Sequence, residues 1–253
     1  LTYTITATDG HGGSATQDII ITITGTDDAP VIDSDVGTTG AVLEFADETD
    51  SEASNEASGT LSFFDDTSDI RDVTIADTAI EEDSPEAELA IVSRMDNGSG
   101  PQVVAYYSLA DGNGPVELEG DSEQYQYILN VIASSSFVVG LDDAFYPETQ
   151  EQIGQINWNF TIPADASLDF LAEGEQLQLV YTVQLTSAAQ DGVEAKTTTQ
   201  EVTITITGTN DEPVIEGGDD SIAITEEVTP LGHFTQTGSL SFADVDLTDH
   251  HAV

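Results

Sequence analysis

The feature that most constrains this chain is a block of sequence that occurs twice. Residues 18–32 read DIIITITGTDDAPVI and residues 201–215 read EVTITITGTNDEPVI, so Thr24 and Thr207 are 183 positions apart (207 − 24). After each copy a second block recurs, GTLSFFDDTSD at 59–69 and GSLSFADVDLTD at 238–249. Segments that recur in the same order are typical of a tandem array.

The order of these blocks predicts three units. Residues 1–30 match the end of a repeat, residues 31–213 a complete repeat, and residues 214–253 the beginning of the next one. The boundaries lie just after Pro30 and Pro213, because a proline favours an extended conformation in the residue before it. The complete unit exceeds the ~100 residues of an ordinary sandwich. We therefore predict an insertion at about 73–155.

Apolar residues alternate with polar ones along several segments, the period of a β-strand with one buried face. Val202, Ile204 and Ile206 alternate with threonines, and Leu177 to Leu185 form another such run. The pattern predicts an all-β fold of antiparallel β-sandwich repeats. Trp158 alternates with apolar neighbours and is expected in the core. Val103–Leu109 and Tyr125–Ile132 are predicted as further strands.

The charge balance is extreme, with 49 Asp and Glu against 3 Lys and Arg, a formal net charge of −46. Nucleic acid and anionic membranes are excluded as partners, because neither can be bound without a basic patch. No apolar segment is long enough to span a membrane. Self-repulsion of this size opposes a compact state, and with no cysteine there are no disulfides to offset it. Divalent cations are the expected remedy.

A family resemblance rests on two segments. ATDGHGGSATQDIIITITGTDDAPVI at 7–32 resembles the end of a VCBS repeat, the cadherin-like unit of large bacterial RTX-type adhesins, and WNFTIPADASLDFLAEGEQLQLVYTV at 158–183 is similar to another part of it. The resemblance implies immunoglobulin-like or cadherin-like sandwiches in long arrays. It also implies type I secretion to the extracellular surface and a role as the stalk of an adhesin in cell adhesion or biofilm attachment.

The repeat borders are rich in the oxygen ligands that calcium prefers, so we predict calcium (Ca2+) sites there. The candidates at the first junction are Asp9, Asp27, Asp28, Glu44, Asp65, Asp66 and Asp69. Those at the second junction are Asp191, Asn210, Asp211, Glu226, Asp244, Asp246 and Asp249. The second set resembles cadherin linkers, in which an Asn-Asp pair, an early Glu and an Asp-x-Asp step bind calcium. The first set departs from that pattern, because Asp65 and Asp66 are adjacent.

Two classes of function remain open. The first is a calcium-rigidified spacer whose partners are the neighbouring repeats of the same chain. The second is a module on the insertion that binds a surface polysaccharide or a protein, with Tyr106, Tyr107, Tyr125 and Tyr127 as its candidate face. An enzyme is not expected, since no Gly-x-Ser-x-Gly, P-loop or dinucleotide-binding motif is present.

Overall fold

The computed structural model of the chain describes residues 1–24, 28–33, 35–45, 55–65, 70–76, 89–94, 101–146, 151–164, 166–188, 194–219, 221, 223 and 237–251. Statements about the structure refer to these residues. The elements are β1 (Thr2–Thr8), β2 (Ser14–Ile20), β3 (Val31–Ile32), β4 (Thr39–Leu43), β5 (Asn55–Asp65), β6 (Ile70–Ala76), β7 (Ile91–Arg94), β8 (Pro101–Ser108), α1 (Glu123–Ser134), β9 (Ser136–Tyr146), β10 (Glu151–Ile162), β11 (Gln176–Ser187), β12 (Thr197–Thr207), β13 (Val214–Gly218) and β14 (Leu240–Ala243).

The central unit is a sandwich of two sheets, which confirms the predicted all-β, largely antiparallel fold. One sheet has the strand order β3-β5-β10-β9 and the other β4-β12-β11-β8-β7, with β6 also paired to β11. The chain changes sheets between β3 and β4, and β4 runs parallel to β12. The second strand of the unit, β4, and its last strand, β12, are therefore hydrogen-bonded side by side, and both end at the same edge.

The inward faces of both sheets form one hydrophobic core, as the alternation predicted. Leu177, Leu179, Val202, Ile204 and Ile206 are each fully buried. Each such side chain contributes about 1.5–3 kcal/mol relative to an exposed one.

Trp158 lies in this core, as expected, and its indole nitrogen donates a hydrogen bond to the Gly37 carbonyl oxygen at 2.7 Å. A Cβ at Gly59 would lie 2.4 Å from a carbon of the Trp158 ring, so the ring needs a glycine at this position.

The predicted strand at Tyr125–Ile132 is wrong, because this segment lies in helix α1. Ser122 caps the helix, its hydroxyl oxygen accepting from the Tyr125 amide at 3.2 Å, and Ile128, Val131 and Ile132 are buried at helical spacing. The other expected strand, Val103–Leu109, is confirmed by β8.

The described part of 73–155 does not stand apart from the sandwich. β8 pairs with β11, and β9 pairs with β10. This region therefore supplies strands to both sheets.

The two flanking units repeat the strand pairings of the central one. Tyr3 lies opposite Ile19 in β1–β2, as Tyr181 lies opposite Val202 in β11–β12. Val214 lies opposite Ala243 in β13–β14, as Val31 lies opposite Phe64 in β3–β5. The sequence similarity between the blocks thus extends to strand register.

Candidate metal centre

Glu44 is placed by the parallel pairing of β4 with β12. Side chains two residues apart in extended chain lie on the same face, so Glu44 faces inward like the buried Val42. The Glu44 side chain is only 4% exposed. The Glu44 amide donates to the Thr207 carbonyl oxygen at 3.0 Å, and Glu44 Oε2 accepts from the Thr209 amide at 2.8 Å. Glu44 was expected at the first junction. The structure places it at the second, because β4 and β12 run in the same direction and end together.

Asp169 reaches this point on a loop that packs on the end of β12, and Asp211 lies on the linker that follows β12. The Gly174 amide donates to the Gly208 carbonyl oxygen at 3.1 Å, and the Gly208 amide donates to the Glu175 carbonyl oxygen at 2.9 Å. A Cβ at Gly208 would lie 2.2 Å from the Leu171 carbonyl oxygen. The absence of a side chain at Gly208 therefore lets the loop that carries Asp169 approach the linker that carries Asp211.

Three carboxylates converge at the second junction. Carboxylate oxygens of Glu44, Asp169 and Asp211 all lie within 4.8 Å of one another. Glu44 and Asp211 are each 4% exposed, and Asp169 is half-buried. At an effective dielectric constant of about 20, each ionised pair at this distance costs roughly 3 kcal/mol. The cluster is therefore unfavourable at neutral pH unless it binds a cation or a proton.

The environment of Glu44 shows this conflict directly. Burial, together with the charges of Asp211, Asp169 and Asp246, raises the pKa of Glu44 to about 8, although the hydrogen bond from Thr209 opposes the increase. The second oxygen, Oε1, is buried and has no hydrogen-bond partner among the described residues. An unpartnered buried carboxylate oxygen is costly, and a bound cation would satisfy it.

A fourth carboxylate comes from the next unit. Asp246, only 3% exposed, follows β14, and its Oδ2 accepts a hydrogen bond from the Asp211 amide at 2.9 Å. Its own amide donates to Asp244 Oδ1 at 3.1 Å. Burial raises the pKa of Asp246 to about 6, with contributions from the charges of Asp211, Asp249 and Asp244.

Asp211 is the residue that both halves of the junction share. Its charge makes the largest coulombic contribution to the raised pKa of Glu44 in the central unit and to that of Asp246 in the next one. The cluster offers carboxylate oxygens and no nitrogen or sulfur ligand, a set that suits hard cations such as calcium or magnesium. Of the two ions, calcium accepts six to eight oxygens in irregular geometry, whereas magnesium requires a near-ideal octahedron.

The remaining candidates from the sequence occupy other positions. Asp9 lies in the turn of the β1–β2 hairpin, where its Oδ1 accepts from the amides of His11 and Gly13, which lower its pKa. It was expected beside Asp28 at the first junction. Instead β2 separates this turn from the linker, a length of about 24 Å at 3.4 Å per residue. Asp9 therefore lies at the end of the β1–β2 hairpin that is farther from the linker.

Other predicted residues differ in burial. Asp28, Asn210 and Asp249 are exposed, and the Asn210 side-chain amide donates to the Asp211 carbonyl oxygen at 2.9 Å. Asp65 is buried at the end of β5, beside the first junction. The predicted ligands that lie outside the described residues are Asp27, Asp66, Asp69, Asp191 and Glu226.

Sequence reasoning missed Asp169 and Glu175. Glu175 is 2% exposed. In the alternating pattern it occupies the same face as the buried Leu177 and Leu179, so the sequence did indicate that it faces inward. Asp169 offered no comparable signal, because it lies in an irregular turn and joins the cluster only through the packing of that turn on Gly208.

Comparisons with known proteins add little to this geometry. No family model matches the chain, and no curated protein matches it. Among solved structures, it is similar to AggA, the major subunit of aggregative adherence fimbriae type I from Escherichia coli, at 9% identity and a TM-score of 0.32. The match covers 73% of this chain and 100% of that one. A likeness this distant carries no argument about function. Among the described residues, no helix has the length and hydrophobicity needed to cross a membrane.

Proposed function

We propose that this chain is a spacer whose sandwich units are joined by calcium. One ion binds among Glu44, Asp169 and Asp211 at the end of the central unit, and Asp246 links the next unit to the same group. The observation that carries this proposal is the convergence of carboxylate oxygens within 4.8 Å around a buried, unpartnered Glu44 oxygen.

Calcium would act on both stability and shape. Extracellular modules bind calcium at roughly 10⁻⁴–10⁻³ M. A site at about 100 times its dissociation constant adds about 2.7 kcal/mol to the folded form, a large share of the ~5–15 kcal/mol margin of a domain. Because the site draws on both units, binding also restrains the joint between them. A string of mutually repelling units then becomes a stiff rod.

We further propose that such rods are built from VCBS-like repeats and serve as the stalk of a secreted or cell-surface adhesin exported by type I secretion. The twofold recurrence of sequence blocks and strand registers supports an array. The partners of each unit in this proposal are its neighbouring repeats, and its role is mechanical rather than enzymatic.

Calorimetric calcium titration and small-angle scattering test the proposal together. The wild-type chain is expected to bind calcium and to become longer and stiffer on binding. Asp211→Asn is expected to weaken binding at least tenfold, since Asp211 serves both halves of the junction. Asp121→Asn changes an exposed acid elsewhere and is the matched control. Equal calcium binding by both variants would contradict the assignment.

A binding module on 73–155 has less support. Of its four candidate tyrosines, Tyr107 is buried, Tyr106 and Tyr125 are half-buried, and only Tyr127 is exposed. The Tyr127 ring also stacks on Phe170 of the same chain, with ring centres 5.3 Å apart. No cluster of exposed tyrosines exists in the described part of this region. Binding to a glycan array that is lost in Tyr127→Ala would favour the module over the spacer.

A further inference from the structure

A second contact crosses the same junction without using the acidic cluster. The Thr248 hydroxyl, in the next unit, donates a hydrogen bond to Glu175 Oε1 in the central unit at 2.6 Å. The other oxygen, Oε2, accepts from the Ala172 amide at 3.1 Å. Glu175 is 2% exposed. Both oxygens of Glu175 therefore have partners, whereas Glu44 Oε1 has none among the described residues, and no cation is needed to satisfy Glu175.

Glu175 is also held firmly within the central unit. Its amide donates to the Ala172 carbonyl oxygen at 3.0 Å, and its carbonyl oxygen accepts from Gly208 at 2.9 Å. The buried Tyr107 ring lies beside it, and burial together with the Glu175 carboxylate raises the pKa of Tyr107 above its usual range. Contacts within the central unit alone therefore hold Glu175 Oε1, the acceptor for Thr248, in position.

The segment that carries Thr248 is equally well formed. The Asp249 amide donates to the Asp246 carbonyl oxygen at 3.2 Å, which closes a turn over residues 246–249. Leu247, within that turn, is partly buried and packs against the core of the central unit. One apolar contact and one short hydrogen bond therefore anchor the turn on the central sandwich.

We propose that Glu175 and Thr248, with Leu247, form a latch that holds the next unit on the central one in the absence of any cation. The latch deepens the proposed function, because it brings Asp246 towards Asp211 and so assembles the site before calcium arrives. A preformed site binds more tightly, since less of the binding free energy is spent on ordering the joint. The partner of this surface is the turn at 246–249 of the following repeat.

The test measures the geometry of the joint in metal-free protein. The chain has no cysteine, so Asn130→Cys on α1 and Thr237→Cys before β14, both at exposed positions, would carry the only spin labels. In chelator, we expect a single narrow distance distribution between the labels. Thr248→Val keeps the shape of the side chain but removes the donor, and it should broaden the distribution. Thr248→Ser restores the hydroxyl and should restore the narrow distribution.

Thr199→Val is the matched control, an exposed threonine of β12 paired with Gln184 and distant from the junction. It should leave the distances unchanged. Thr248→Val should also weaken calcium binding about tenfold, because Asp246 is then no longer held close to Asp211 before the ion binds.

The latch would be overturned by a broad distribution in wild-type protein in chelator, or by identical distributions for wild type and Thr248→Val. Serine that fails to rescue would also overturn it. The outcome separates the latch from the calcium proposal. If calorimetry finds no calcium binding, the proposed function fails, but the distances measured in metal-free protein still test whether the latch exists. If calcium binds and Thr248→Val changes nothing, only the latch fails.

Discussion

The substitution Glu44→Gln should stabilise the fold when calcium is absent and destabilise it when calcium is bound. Glutamine has the size of glutamate and keeps an oxygen that can accept the Thr209 hydrogen bond, but it carries no charge. In chelator at neutral pH, the buried wild-type side chain must take up a proton on folding, a cost that glutamine avoids, so the substitution should stabilise the fold. With calcium, the same change removes a ligand and should destabilise it.

The magnitude in chelator follows from the pKa of Glu44. Its folded-state value of about 8 lies above the ordinary 4.5, so the folded protein holds a proton that the unfolded chain releases. Stability is therefore greatest below the ordinary value and decreases as the pH rises from 4.5 to about 8. At 1.36 kcal/mol for each pH unit, the penalty reaches about 3 kcal/mol at neutral pH. Glu44→Gln should recover most of this amount.

Urea unfolding at neutral pH, with chelator and with saturating calcium, measures both effects on the same variant. The midpoint of Glu44→Gln should exceed that of the wild type in chelator and be below it in calcium. In chelator the wild-type midpoint should also decrease between pH 6 and pH 8, above the range in which Asp246 titrates, whereas that of the variant should change much less. Equal destabilisation in both media would refute the reasoning, because the Glu44 carboxyl group would then stabilise the fold whether or not calcium is bound.

Four further outcomes are expected. Asp169→Asn should weaken calcium binding about tenfold in calorimetry while changing the melting temperature in chelator little, because Asp169 is only half-buried; an unchanged affinity would remove it from the site. Gly59→Ala should lower the free energy of unfolding by about 1–3 kcal/mol, since the added methyl group collides with Trp158; a neutral result in urea would contradict this packing. Pulling on the chain should load the parallel β4–β12 pairing in shear, and calcium should raise the unfolding force in single-molecule measurements; an equal force in chelator would show that the ion does not join these strands. Sodium chloride added in chelator should raise the melting temperature but should not stiffen the joint in scattering, and salt that fully replaces calcium would argue against a specific site.

The sheets could be predicted from the sequence because their signals are local and strong. Val202, Ile204 and Ile206 alternate without interruption, and the structure buries all three. The helix at Tyr125–Ile132 was missed because so short an apolar segment fits the period of a strand as well as that of a helix. Its cap at Ser122 and the spacing of Ile128, Val131 and Ile132 were the distinguishing signs.

The candidate site was predicted only in part, because it depends on long-range pairing. The acidic linker at Asn210 and Asp211 could be recognised from its composition and its repetition. The partnership of Glu44 with Thr209 joins residues 165 positions apart, and it follows from the parallel pairing of β4 with β12, which no local pattern reveals. Asp169 likewise depends on how closely its turn packs on Gly208.

The acidic residues of this chain form two groups, exposed and buried, whose mutual repulsion is reduced in different ways. Most of the described acids lie at the surface, where salt at physiological strength screens their repulsion beyond about 8 Å. The buried exceptions among the described residues are Glu44, Asp65, Glu175, Asp211 and Asp246. Four of these lie at the second junction, and Asp65 ends β5 beside the first. Dissolved salt cannot enter the gap between carboxylate oxygens less than 5 Å apart, whereas a coordinated ion can occupy it. In the proposed function, we therefore expect calcium to act on the few buried acids at the unit borders, and monovalent salt to act on the large net charge.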